Sequence, residues 1–307
     1  MKKLMDPDPQ LLKFIESYDE ISFTGGTFSK ACHILHSIFK LEEKIQIFIS
    51  LSGALVPAGL QSHIVSLLKT GKISGVITTG ATLTHDYLED LGFKHKKLHH
   101  FTTDAELRKN GINRILDVGA TDEAFEKMEI SIHEWMEKNY PDTKIAYSVS
   151  TVDFLKELGK ERSENSILGI CQRKNIPIYC PAITDSMLGV HAMTFAEYRK
   201  FSLDPILELK SYISQCFDSK KTAAIVLGGG VPKNYLFQGM LISGKELSYA
   251  IQVTMDRPEH GGLSGASLDE AISWGKIQSD AKTVTVVSDV SLILPLFVKY
   301  IELINKK

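Results

Sequence analysis

The sequence predicts a doubly wound α/β fold, a mostly parallel sheet with helices on both faces. Short Ile- and Val-rich runs are continuously apolar rather than alternating, as in strands buried on both faces. Helix-patterned segments separate these runs, which is how parallel strands are connected. A chain of 307 residues can bury a sizeable core without staples. No linker, low-complexity tract or internal repeat interrupts residues 1–307, so a single domain is expected.

The expected strands, in order, are IQIFISLSGA (45–54), GVITTGA (75–81), KIAYSVS (144–150), IPIYCPA (176–182), TAAIVLGGG (222–230), LSYAIQVT (247–254) and KTVTVVSD (282–289). Among the helices, PAGLQSHIVSLLKTG (57–71) has apolar positions at helical spacing and a Gly after its terminal Lys. TDEAFEKMEISIHEWMEK (121–138) and the residues from Asp289 onward share that pattern. Ser267-x-x-Glu270 is a capping box that starts a helix at 268. On that helix Lys276 shares a stripe with Asp269, Ile272 and Ser273, and Trp274 shares one with Glu270.

The net charge of −2 and a pI near 6.6 give no sign of a nucleic-acid or anionic-membrane partner. Cys32, Cys171, Cys180 and Cys216 form no C-x-x-C pair, so reduced thiols and a cytoplasmic location are expected. The N-terminus MKKLMDPDPQLLK lacks an apolar signal core, and VSLILPLFV (290–298) is too short to span a bilayer and contains Pro295.

In such sheets ligands sit beyond the carboxyl ends of the strands. Here those ends are crowded with Gly, Ser and Thr: SGALVP (52–57), TTGATLTHD (78–86), PAITDSMLG (181–189), GGGVPKN (228–234), TMDRPEHGGLSGAS (254–267) and SDVS (288–291). Glycine lets backbone approach a phosphate, and helix N-termini attract anions. Without a G-x-G-x-x-G fingerprint the pattern leaves a nucleotide ligand open.

Lys276 has two readings. In one, Glu270 caps, Trp274 packs in the core and Lys276 reaches water. In the other, Trp274, Gly275 and Ile277 keep Lys276 out of water, and its neutral amine attacks a carbonyl or imine carbon. FKHKKLHHF (93–101) sets His95 and His99 four apart with His100 adjacent. It holds no carboxylate or Cys, so it is read as a solvated basic face and no metal is assigned. His33 and His36 lie three apart on a helix-like segment, with one expected against the core. Cys180 adjoins PAITD and is expected to line the pocket without a catalytic role.

SLDEAISWGKIQSDA and the preceding GGLSGA, together with VTVVSDVSLILPLFV, AAIVLGGGVPKN, NIPIYCPAITDSMLG, ISFTGGTFSKA and VITTGA, resemble deoxyhypusine synthase over most of the chain. The resemblance implies a Rossmann-like, NAD-binding homotetramer with NAD at a subunit interface, acting in hypusine biosynthesis. It implies that spermidine is oxidised with NAD, that Lys276 captures the aminobutyl group as a Schiff base, and that a lysine of the translation initiation factor 5A precursor receives it. Trp274 would pack along the polyamine methylenes and Glu270 would face a substrate nitrogen. His85, Asn234, Gly261 and Gly262 complete the implied substrate site. The implied cofactor contacts fall on Gly53, Ala54, Leu55 and Pro57, on Thr79, Gly80 and Ala81, on Asp185 and Gly229, on Met255 and Asp256, and on Asp289 and Val290. Of these, Asp289 would accept from a ribose hydroxyl.

This sequence also departs from the family pattern. Where the family carries acids it has Thr84, His85, Val190 and Leu263; Asn234 stands for a histidine and Gly262 for a serine. Losing two or three charge partners, at about 1.5–3 kcal/mol each, would weaken polyamine binding. Three functions therefore stay open. One is aminobutyl transfer to the factor 5A precursor. Another is a family enzyme with a changed substrate, such as a free diamine acceptor giving a homospermidine-like product. The last is a non-catalytic NAD-binding protein. The short N-terminal segment is expected to lack the element that covers a neighbour's site in long eukaryotic relatives.

Overall fold

The computed structural model describes residues 9–41, 43–99 and 102–305. The fold is mixed α/β with a mostly parallel sheet flanked by helices. The chain divides into two compact units: Met1–Leu51, Thr70–Gly75 and Ile213–Lys307 form one, and Ser52–Lys69 and Val76–Tyr212 form the other.

In the first unit four strands run parallel, in the order Ile277–Val287, Leu247–Thr254, Thr222–Leu227 and Gln46–Leu51. All six residues of TAAIVL are buried, which is why its apolar run is continuous. Ile277–Val287 instead buries only Ile277, Val284 and Val286, with half-buried or exposed residues between them, as in a strand covered on one face. The Phe23–Lys40 helix packs on this strand and its neighbour, and the Val290–Asn305 helix packs beside it. Phe28 and Phe297 stack between the two helices with ring centroids 5.7 Å apart. Because the four strands are parallel, Leu51, Leu227, Thr254 and Val287 all end on one edge. The glycine turn 228–230, the long loop 255–267 and the Ser288–Asp289 turn leave from that edge.

In the second unit Val76 and Ile77 pair in parallel with Ile178 and Tyr179. Tyr147–Ser150 does not join them; it pairs with Phe201–Asp204. A small antiparallel sheet, Lys96–Lys97, Val118–Thr121 and Ile112–Ile115, was not expected from the sequence. Its strands are only two to four residues long, too short to show a period. The helix expected over 57–71 begins at Gln61, after a turn in which Gly59 adopts φ +86°. The Asp122–Asn139 helix matches its expectation and is capped by the Thr121 hydroxyl, which accepts from the Ala124 N–H. Fully buried Asp86 accepts from the N–H groups of Ile167 and Leu168 at 2.8 and 3.0 Å, capping the Ile167–Arg173 helix. Burial pushes its carboxyl up to about 6.

All four cysteines are buried and free. Cys180 is fully buried, with its N–H donating to Glu208, so it does not line a pocket as expected. His33 and His36 are both exposed, and His33 pairs with Asp19 at 2.8 Å. Among the described residues no helix is long and apolar enough to cross a membrane.

Candidate active site

The WGK segment is a helix terminus rather than a helix face. The helix that Ser267 caps runs only from Leu268 to Ser273, with the Ser267 hydroxyl accepting from the Glu270 N–H at 3.1 Å. Gly275 is left-handed, at φ +65°. The Lys276 N–H reaches back to the Ala271 carbonyl at 3.0 Å and the Gly275 N–H to the Ile272 carbonyl at 2.9 Å. These two bonds form a Schellman cap, which needs a residue that tolerates positive φ after the helix. The stripe expected to hold Lys276 with Asp269 and Ile272 therefore does not form. Lys276 instead leads into Ile277, the first residue of the outer strand, and its carbonyl accepts from the Leu247 N–H at 3.0 Å.

The reading of Trp274 as a core residue does not hold. The indole is 59% exposed, so it is not a core residue. Lys276 is half-buried, with its ammonium 5.1 Å above the indole ring, so the tryptophan offers the lysine a π face rather than an apolar wall.

Lys276 and Trp274 line a cavity of about 250 Å³. The Gly230–Ser243 helix contributes Lys233, Asn234 and Phe237, the loop before the WGK helix contributes Leu263, and the helix itself contributes Glu270. Four residues expected at a substrate site, Asn234, Glu270, Trp274 and Lys276, thus share one cavity. Gly261 and Gly262 are not among its lining residues. Glu270 is the one carboxylate among them, against two lysines.

Lys233, given no role from the sequence, lines this cavity, and buried Gln252 holds it from behind. Lys233 is 3% exposed, and its ammonium donates to the Gln252 side-chain oxygen at 2.9 Å and to the Ala266 carbonyl at 2.6 Å. Burial draws its pKa down to about 8, against the pull of Glu270 and Asp256, and Lys276 adds to the lowering. Buried Gln252 turns its amide nitrogen to the carbonyls of Ser264 and Gly228, at 2.8 and 3.3 Å. One side chain thus ties the glycine turn, the long loop and Lys233 together. A lysine in the first turn of an otherwise uncharged helix was the available signal for Lys233. Gln252 sits between Ile251 and Val253 in the buried end of its strand.

The glycine turn has little room. A Cβ on Gly229 would stand 2.4 Å from the Ser264 Cα, and Gly228 and Gly230 have φ of +88° and +61°. These three glycines open a helix of 14 residues. Also in the first unit, Met255 is exposed, and Asp256 accepts from the Arg257 N–H and pairs with His260 at 2.6 Å. Exposed Asp289 accepts from the Ser291 N–H at 2.7 Å, and the Val290 side chain is buried.

The remaining expected contacts lie in the second unit. Thr79 caps the Gly80–Asp90 helix, and Gly80 packs so closely on Ser186 that a Cβ would meet its Oγ at 2.2 Å. The TTGA turn and the loop carrying exposed Asp185 are thereby brought together, with Ala81 exposed beside them. Gly53, at φ +82°, and Ala54 are exposed, whereas Leu55 and Pro57 are buried.

His85 also belongs to the second unit, on a helix rather than in a loop. Its Nδ1 meets His95 Nε2 at 2.9 Å, and His95 Nδ1 meets Glu89 at 2.8 Å. Burial, with the His95 charge, holds His85 down at about 4. The His95 side chain is 2% exposed, so the basic run is not uniformly solvated; its carboxylate comes from Glu89, outside the run. His100 lies outside the described residues.

The family model for deoxyhypusine synthase matches residues 13–301. The Methanosarcina acetivorans protein named "Probable deoxyhypusine synthase 1" is 38% identical over 296 residues, covering 95% of this chain and 90% of its own length. The Methanosarcina thermophila protein named "Probable deoxyhypusine synthase" is 39% identical over 290 residues, covering 93% and 89%. In fold the chain is similar to the crystal structure of an Entamoeba histolytica protein assigned as a deoxyhypusine synthase, with a TM-score of 0.66 at 16% identity over 94% of this chain and 91% of that one.

Proposed function

The chain belongs to the deoxyhypusine synthase family, and from that membership we propose that it is an NAD-dependent aminobutyl transferase with Lys276 as its covalent nucleophile. The observation that carries this reading is the aim of Lys276. A Schellman cap fixes its backbone, and its ammonium stands over Trp274 in a cavity that also holds Glu270.

The residues fit a dinucleotide. Three glycines open the 14-residue helix, where backbone can meet a phosphate, and Asp289 offers an exposed carboxylate at the end of the outermost strand, two strands away. Gly229, Met255, Asp256, Asp289 and Val290, all in the first unit, are the residues we assign to holding it. When bound, NAD supplies a hydride acceptor for the carbon next to a substrate nitrogen, and later a hydride donor.

The chain's own residues do the rest. Glu270 attracts a substrate ammonium, and the Trp274 face flanks the methylenes. The neutral amine of Lys276 adds to the imine carbon and expels the departing diamine, which leaves the aminobutyl group on Lys276 as a Schiff base. An acceptor lysine, as in the translation initiation factor 5A precursor, then displaces Lys276. The family resemblance also supports a homotetramer and a cytoplasmic enzyme.

Borohydride added to the protein with NAD and spermidine should trap an adduct on the Lys276 peptide, and Lys276→Arg should abolish it. If the chain binds NAD but no amine from a broad panel labels Lys276, the covalent mechanism is wrong.

A second reading rests on the cavity's charge. Leu263 and Asn234 line it where the family has an acid and a histidine, leaving Glu270 to face two lysines. This favours a donor or acceptor less charged than the family's. Mass spectrometry of products with and without the factor 5A precursor separates the two: a product formed equally well without it supports a free-amine acceptor.

A further inference from the structure

Within the second unit, the Asp122–Asn139 and Met187–Ala196 helices pack together and carry side chains that the proposed function does not use. Glu129 and His133 lie four apart on the first helix, hence on one face, and His191 comes from the second. One ligand atom from each lies within 4.8 Å of the other two, the one such group found among the described residues.

Two further observations point to a ligand. His191 is 2% exposed, and its Nε2 has no hydrogen-bond partner, a costly state for a buried polar atom. His133 has a hydroxyl on each side: Tyr198 at 3.0 Å from Nδ1 and Thr194 at 3.0 Å from Nε2. Whichever nitrogen turns to a metal, the other keeps an orienting partner, as metal-bound imidazoles have. The Thr194 hydroxyl also bonds to the His191 carbonyl at 3.0 Å, linking the two histidines.

We propose that Glu129, His133 and His191 bind a divalent cation of the zinc class and so clamp the two helices together. Two imidazoles and a carboxylate form a zinc donor set with a fourth position for water. Nitrogen donors favour zinc, nickel or cobalt over magnesium or calcium. Tetrahedral bonds of about 2.0–2.2 Å bring donors to roughly 3.4 Å of one another, so the group must close slightly. Exposed Glu129 is free to rotate inward to do so.

The test uses the full chain, stripped with a chelator and titrated with zinc chloride by calorimetry, with cobalt(II) visible spectra as a second readout. We expect one zinc per chain, a tetrahedral cobalt spectrum, at least about tenfold weaker binding in Glu129→Gln, and loss of binding in His191→Asn. Glu129 is on the surface, so its variant stays informative even if His191→Asn fails to fold. His33→Gln, at an exposed His–Asp pair, should bind as the wild type does. Overturning results are no stoichiometric zinc binding, equal affinity in Glu129→Gln and wild type, or loss of binding in His33→Gln.

Discussion

Replacing Gly275 tests the geometry that aims Lys276. At φ +65° the residue lies where an L side chain is strained. An added Cβ would find its nearest neighbour, Glu246 Oε1, at 3.6 Å, an ordinary contact. The cost of Gly275→Ala is therefore almost purely backbone, about 1–2 kcal/mol. Asparagine tolerates this conformation better, so Gly275→Asn should lose less. Gly262 supplies the control, since its φ lies outside the left-handed region and its Cβ would meet only Asp256 Oδ2, at 3.7 Å. Gly262→Ala should be neutral or slightly stabilising. Urea unfolding followed by far-UV circular dichroism gives the three differences, compared at equal slope. In parallel, Gly275→Ala should slow trapping at Lys276 at temperatures where it remains folded. If Gly275→Ala is no less stable than Gly262→Ala, or Gly275→Asn is the worse of the two Gly275 variants, the cap does not govern this segment.

Other outcomes follow from charge and space. Lys233 titrates near 8 when folded and near 10.5 when unfolded, so between those values the unfolded chain binds more protons and stability rises with pH. Relative to Lys233→Met, the wild type should gain stability from pH 8 to 10.5, and a flat difference across that window would contradict the burial argument. His85 should show an NMR midpoint near 4 rather than in the ordinary imidazole range. Because the unfolded chain takes that proton first, stability should fall as pH drops from about 6.5 to about 4. Gly229→Ala drives a methyl group into the Ser264 backbone and should destabilise by about 1–3 kcal/mol in urea melts; wild-type stability would show that the turn has slack.

What the sequence made legible was set by period and by termini. TAAIVL and IQIFIS read as buried strands because both of their faces are covered, and the helix after Thr121 was found to within a residue at each end. The role proposed for the WGK lysine came only from the family likeness. Its local pattern suggested a helix stripe, because a left-handed glycine near a helix end looks like any other glycine in a sequence. Lys233 was missed because its role depends on Gln252 and Ala266, which lie 19 and 33 residues away along the chain. The His85–His95–Glu89 chain escaped for a related reason: the acid His95 needed lies before the basic run. Glu129 and His133 stand four apart in the sequence, but nothing local announces His191 on another helix.

The backbone of Lys276 is held from both sides, its N–H by Ala271 and its carbonyl by Leu247. The residue is thus a tether on a fixed pivot, and only its own methylenes can swing. A group carried on such a tether has a short reach and one place to start from. Under the proposed transfer, donor and acceptor would be delivered to the same small sphere in turn, and the order in which partners arrive and depart would be imposed by the mounting of one side chain.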